Sequence, residues 1–276
     1  MAGRVVRLTR AELLKLVHHP FFLVALGLLA AATLFGAWGQ TAFFGTKPTV
    51  WRNPHALLIF AWGAKSGLKM ASFLLVIFGS LFFAGEFDKG TIKLLLTRPV
   101  TRTEVFLAKC LTGLMLAGLL FAAVLALSFG FGCLRGELGP VWDSEQYVST
   151  TSAGEISAHA AKAVRLSAAG VVAAVFLGIA VSTFVESSGL AVAMALTLFI
   201  GMDLGLGFVR EDQARYVFSW YPSYAFETLR SYAEGSATRW RAIIDVRMTW
   251  LFVPAASAGF CAAVGYVLFR IRNILA

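Results

Sequence analysis

This sequence is short of charge. Only 14% of its 276 residues are Asp, Glu, Lys or Arg, whereas 58% are hydrophobic. A soluble domain covers its surface with about 25% charged residues, so a chain this poor in them cannot keep its outside wet. A soluble enzyme, a disordered tail and a secreted disulfide scaffold are excluded on that ground. Cysteine is also scarce. Cys110, Cys133 and Cys261 lie in or at the ends of apolar runs and form no C-x-x-C pair, the pattern of packing residues rather than of disulfides or a zinc site. No G-x-x-x-x-G-K-[ST] phosphate cradle occurs, and Gly45-Thr46-Lys47 lacks its glycine spacing, so ATP hydrolysis by this chain is not expected. The histidines are His18, His19, His55 and His159. Adjacent ones point about 100° apart on a helix and none pairs at i, i+4, so no metal site is expected. Ser187 and Ser188 have no partnering His in reach. Catalytic, cofactor-binding and metal residues are all expected to be absent.

What is present is a set of long apolar runs. Crossing about 30 Å of hydrocarbon takes about 20 apolar residues in a helix. Six runs meet that need, at about 20–39, 68–87, 105–133, 166–185, 187–209 and 248–269. They are too long and too uniformly apolar for barrel strands, and helices satisfy their own backbone in lipid. The expected fold is therefore an all-α, multi-pass membrane protein, a single domain over 1–276. The first run follows a basic segment as a signal peptide would, but both are long, and it reads as a retained span.

The net charge is +9, with 24 Lys and Arg against 15 Asp and Glu. No basic run is interleaved with stacking aromatics, so nucleic acid is not an expected partner. The excess reads as topology instead. Arg4, Arg7, Arg10 and Lys15 precede the first span; Lys89, Lys93, Arg98, Arg102 and Lys109 flank the connection between the second and third; Arg270 and Arg272 follow the sixth. Basic flanks mark the cytoplasmic side, which puts both termini in the cytoplasm and the protein in the plasma membrane (the inner membrane of a cell that has two). The three longer loops, about 40–67, 134–165 and 210–247, fall outside. All seven Trp lie in or beside those loops, either as headgroup anchors or as the core of a small outer cap. The stretch Pro222 to Arg247 reads as one or two short helices there.

Asp203 is the one acid inside a span. It either caps the outer end of the fifth span or lines a substrate path. Gly201 and Gly205, and Gly170, Ala174 and Gly178, are small-residue stripes that let helices approach closely.

The connection from Gly85 to Glu104 is the most specific stretch. Gly90-Thr91 starts a turn, Ile92, Leu94, Leu95 and Leu96 supply an apolar patch between Lys93 and Arg98, and Pro99 ends that piece. Thr101 and Glu104 form a T-x-x-E capping box that starts the third span. An apolar knob with a basic rim needs a cover, which is either a docked protein or the headgroup layer.

This stretch resembles the cytoplasmic loop of type-2 ATP-binding cassette exporter permeases, whose pattern is G-E-F-x-x-G-T-hydrophobic-K-x-L-L-x-x-P-hydrophobic-x-R. Here it reads Gly85, Glu86, Phe87, Gly90, Thr91, Lys93, Leu95, Leu96, Pro99 and Arg102. The segment around Arg10, Glu12 and Lys15 is similar to that family's amphipathic cytoplasmic helix, here about 3–18. The resemblance implies that the loop is a coupling helix that docks on a separate ATPase together with the turn at Glu186. Glu86 and Arg102 would be its polar anchors, Leu95 and Leu96 its apolar plug, with Arg98 on the rim. It further implies two permease copies (a homodimer or two related chains) working with two cassette ATPases, ATP and Mg bound by those partners, and the lipid bilayer around them. The rival expectation is a membrane assembly or signalling subunit that relays ATPase motion to an outer partner without moving a solute. The outer loops 134–165 and 210–247 depart from smaller members of the family, and the cargo is not readable.

Overall fold

The structure is a computed structural model describing residues 2–43, 56–91, 100–136, 138, 141–142, 149–151, 153–208, 211–214, 216–233 and 249–272. Its elements in chain order are α1 (Ala2–Val17), α2 (Pro20–Phe43), α3 (Ala56–Asp88), α4 (Arg102–Arg135), β1 (Val141–Trp142), β2 (Ser149–Thr151), α5 (Ala153–Phe184), α6 (Ser188–Gly205), α7 (Glu211–Ala214), a 3₁₀ turn (Phe218–Trp220), α8 (Tyr221–Ala233) and α9 (Thr249–Ile271). Among the described residues six of these helices (α2, α3, α4, α5, α6 and α9) are long and apolar enough to cross a membrane. The frame is all-helical as expected. One addition was not foreseen: β1 and β2 pair antiparallel, with Val141 opposite Thr151, in the connection from α4 to α5.

The helices run further than hydropathy suggests. α3 begins at Ala56, within a stretch expected to be loop, and α5 at Ala153 rather than near Leu166. At 1.5 Å per residue α3 and α4 are each about 50 Å long, so both protrude from the hydrocarbon. The N-terminal half of α3 carries Lys65 and Lys69, charges that end an apolar run in sequence. In the fold they are neutralised by Glu227 of α8 and Asp203 of α6, the latter pair at 2.8 Å.

α3 is the central post. It packs against α2, α4, α5, α6 and α8, and 72% of its spanning window is buried, against 17% for α6 and for α9. One crossing depends on glycine. A Cβ on Gly79 of α3 would lie 2.6 Å from the Val175 carbonyl oxygen, and one on Gly178 of α5 would lie 2.5 Å from that of Val76. Only hydrogen fits there, and the two backbones meet directly. The Gly170, Ala174, Gly178 stripe therefore serves packing inside the chain, with Gly170 against Pro222 at the foot of α8. On α6, Gly201 and Gly205 face open space.

α8 is not a helix lying on the surface. Tyr221, Phe226 and Leu229 are buried, Phe226 edge-on to Phe60 of α3. Trp220 stacks on Tyr224 at 3.6 Å. Thr33, Ser72, Ser128 and Ser182 are buried with their hydroxyls donating to carbonyls one turn back in their own helices, which removes the cost of placing them in lipid.

Candidate functional site

Charged and polar side chains collect at one end of the bundle. The end of α3, the start of α4, the turn from α5 to α6, the end of α9 and the helix α1 all meet there. Each arrives for a local reason. α3 stops at Asp88 because Gly90 turns the chain at φ +65°, a conformation that costs little only for glycine, with its N–H bonded to the Phe87 carbonyl at 3.0 Å. α4 starts on the capping box read from the sequence. Thr101 Oγ1 accepts from the Glu104 N–H at 3.2 Å, and Glu104 Oε2 accepts from the Thr101 N–H at 2.9 Å.

A buried ion network joins three helices here. Lys109 of α4 is 1% exposed. Its ammonium lies 3.0 Å from Glu86 Oε1 of α3 and 3.5 Å from Glu12 Oε2 of α1, and it donates to the Phe82 carbonyl at 2.7 Å. The same Glu86 oxygen receives Lys15 of α1 at 3.1 Å. Charges alternate in the order Glu12, Lys109, Glu86, Lys15. Such a group is stable in a poorly solvated place only when every charge has an opposite neighbour. Glu86 Oε2 is buried and has no hydrogen-bond partner among the described residues. At Lys15 burial pulls the pKa down, but the carboxylates of Glu12 and Glu86 outweigh it and hold the ammonium above its ordinary range. Inward of the network sits an aromatic layer of Phe83, Phe106, Tyr266 and Phe269, with the Phe83 and Phe269 rings 4.7 Å apart.

A second hub is Arg272, just past α9. It donates to Glu186 Oε1 at 2.7 Å and to the Thr183 carbonyl at 2.9 Å, and its guanidinium lies 4.1 Å over the Phe87 ring. Arg102 Nη1 donates to the carbonyls of Arg270 and Arg272 at 3.0 and 2.9 Å, closing the C-terminus of α9 where a cation is favoured. Ser188, opening α6, donates to Asp88 Oδ2 at the end of α3. The two stems of the 89–101 elbow are thus tied to α1, to the α5–α6 turn and to the end of α9.

The expected site residues divide clearly. Glu86, Phe87, Arg102 and Glu186 come together, joined by Glu12 and Lys15 through α1, while Arg10 is exposed on the other side of that helix. Glu86 does not stand outward as an anchor for a partner. Its side chain is 7% exposed, and both lysines have drawn its one bonded oxygen inward. Arg102 is likewise engaged with α9. Lys89, Gly90 and Thr91 are exposed. Lys93, Leu95, Leu96, Arg98 and Pro99 lie outside the described residues. Asp203 is far from this end, paired with Lys69. Sequence reading missed Lys109 and Arg272 as hubs. It counted both as topology markers, although a lysine inside the first turns of an apolar run was itself a signal of a buried partner. Among the described residues no cluster of His, Cys, Asp and Glu is arranged to hold a metal ion.

The family model described as "ABC-2 family transporter protein" matches residues 63–272, from α3 through α9. A stretch of 61 residues is 41% identical to the "Uncharacterized membrane protein YdbK" of Bacillus subtilis (strain 168). That stretch is 22% of this chain and 25% of that protein, so the chain is matched to only a quarter of the curated relative's length.

Proposed function

This chain belongs to the ABC-2 family of transporter proteins, and from that premise we propose that it is the permease subunit of an ATP-driven exporter. In this reading two permease copies form the path, and two separate cassette ATPases bind ATP and Mg. The elbow from Lys89 to Thr101 is the docking element, with Leu95 and Leu96 as its apolar plug and Lys93, Arg98, Pro99 and Arg102 shaping its rim. The ion-network end faces the cytoplasm, in keeping with the basic residues on its flanks.

One observation carries the reading: the elbow's stems are bonded to α1, to the α5–α6 turn and to the end of α9. A bound ATPase that closes on its nucleotide pulls the elbow. If the stems were free, the pull would unravel the ends of α3 and α4. Because Glu86 and Lys109 lock the stems to α1, and Arg102 and Arg272 lock them to α9 and the α5–α6 turn, the pull moves the bundle end as one piece. Glu86 acts here as an internal brace. Lys69 of mid-α3 and Asp203 at the end of α6 belong to the part whose opening releases cargo.

The test is functional reconstitution. The purified chain hydrolyses no ATP by itself, copurifies with a cassette ATPase, and in vesicles with that ATPase moves a solute when ATP is supplied. ATP hydrolysis stimulated by the chain with no solute moved across a broad panel would favour the relay subunit instead. Hydrolysis by the chain alone would overturn both.

A further inference from the structure

α1 has two faces, and its inward face does not explain the outward one. Val5 and Thr9 are buried against α4, the Thr9 hydroxyl reaching the Ala108 carbonyl at 3.5 Å. Glu12, the single acid of the helix, points inward to Lys109. The outward face carries Arg7 and Arg10, both exposed, whereas Lys15 turns its ammonium to Glu86. Between these cations stand apolar side chains with no cover. Val6 is 63% exposed, Leu14 51% and Val17 49%. At 100° per residue Arg10, Leu14, Arg7 and Val17 fall on one side of the helix.

The depth of this face is fixed twice. Only His18 and His19 separate α1 from Pro20, where the first span begins, so α1 cannot leave the level at which hydrocarbon starts. Glu12 also binds Lys109, about 10 Å along α4 from its first residue Arg102 at 1.5 Å per residue. A helix held at that depth, packed on one side against the bundle, presents its other side to the headgroup layer. Cations above and apolar side chains below are what an interfacial helix needs there.

We propose that the outward face of α1 is a binding surface for anionic phospholipid headgroups, with Arg7 and Arg10 as the phosphate-facing cations and Leu14 and Val17 seated among the upper acyl carbons. Charge complementarity selects this occupant, because no carboxylate shares the face to repel a lipid phosphate. The assignment rests on membrane embedding alone and stands apart from the choice of cargo or ATPase.

The test uses the full chain in phosphatidylcholine vesicles containing photoreactive phosphatidylglycerol or, in parallel, photoreactive phosphatidylcholine, with adducts mapped by peptide mass spectrometry. Adducts on residues 3–18 are expected in excess from phosphatidylglycerol. A basic residue at a charged membrane surface contributes about 1 kcal/mol, equivalent to about fivefold in binding. The variant Arg7→Gln/Arg10→Gln should therefore lower the phosphatidylglycerol yield on α1 at least fivefold. Arg7→Lys/Arg10→Lys should keep it, and raised salt should lower the wild-type yield, since the Debye length shrinks to about 3 Å at 1 M. Adduct yield on α9 reports that the Gln variant is folded. Equal yields on α1 from the two lipids, or a yield unmoved by the Gln substitutions, overturns the proposal. So does an α1 that neither lipid labels while a partner ATPase protects it.

Discussion

Removing Glu86 and Lys109 separately and together tests whether their network braces the bundle. The two charged groups are 3.0 Å apart. With an effective dielectric near 20, their attraction is about 5 kcal/mol. The unbonded Oε2 of Glu86 offsets roughly 1–3 kcal/mol of that, and Lys15, largely exposed, adds at most about 1 kcal/mol. Losing one partner leaves the other charge buried and unmatched, so Glu86→Gln and Lys109→Met should each cost about 3–5 kcal/mol. Lys109→Met also releases Glu12, which loosens α1. The double variant buries neither charge and should cost no more than the worse single change, giving a coupling energy of roughly 3 kcal/mol. The assay is reversible unfolding in mixed micelles by sodium dodecyl sulfate titration, as a complete double-mutant cycle, with protease susceptibility of α1 read alongside. Single effects that add within about 0.5 kcal/mol would show that the two groups do not interact, and the brace would be refuted.

Arg272→Gln should increase hydrogen exchange at 183–188 and reduce ATP-driven transport more than it reduces stability, since Glu186 is 81% exposed and that pair contributes little to folding. At the α3–α5 crossing Gly178→Val places a Cβ 2.5 Å from a carbonyl and should cost at least about 3 kcal/mol or abolish folded protein, whereas Gly201→Ala, with open space around it, should be neutral; thermal unfolding of the two side by side checks this. Gly90→Ala should cost about 1–2 kcal/mol in the same assay, because an L side chain resists a φ of +65°. The pKa of Lys15 is higher folded than unfolded, so its contribution is fully present below its unfolded value and lost as pH rises through the folded one. Protease susceptibility of α1 should therefore stay flat through neutral pH and rise only above about pH 10.5; a rise near pH 8 would contradict the pairing.

Much of this molecule is legible in its sequence, for reasons that can be named. A bilayer demands long apolar runs, so the span expected at 20–39 starts with its helix at Pro20 and stops four residues short of its end at Phe43. The capping box at Thr101 and Glu104 is a local device and appears in the fold as read. What sequence hid are pairings between distant residues. Lys65 and Lys69 hide the N-terminal half of α3 because their neutralising carboxylates lie more than a hundred residues away. Glu86 reads as a surface acid in a motif, yet Lys15 and Lys109 turn it inward, and no local pattern reports that. Gly178 gave a stripe without its partner; Gly79 became meaningful only once α3 and α5 crossed.

The central claim is that the elbow after α3 is gripped by a separate ATPase on the cytoplasmic side. Lys89 is exposed at the start of that elbow, and a photo-crosslinking amino acid placed there in living cells tests the claim most directly. The adduct should be a cassette ATPase subunit, with a membrane-impermeant reagent added outside failing to reach a cysteine at the same position. Labelling of that cysteine from outside, or crosslinks only to lipid with the ATPase present, would contradict it.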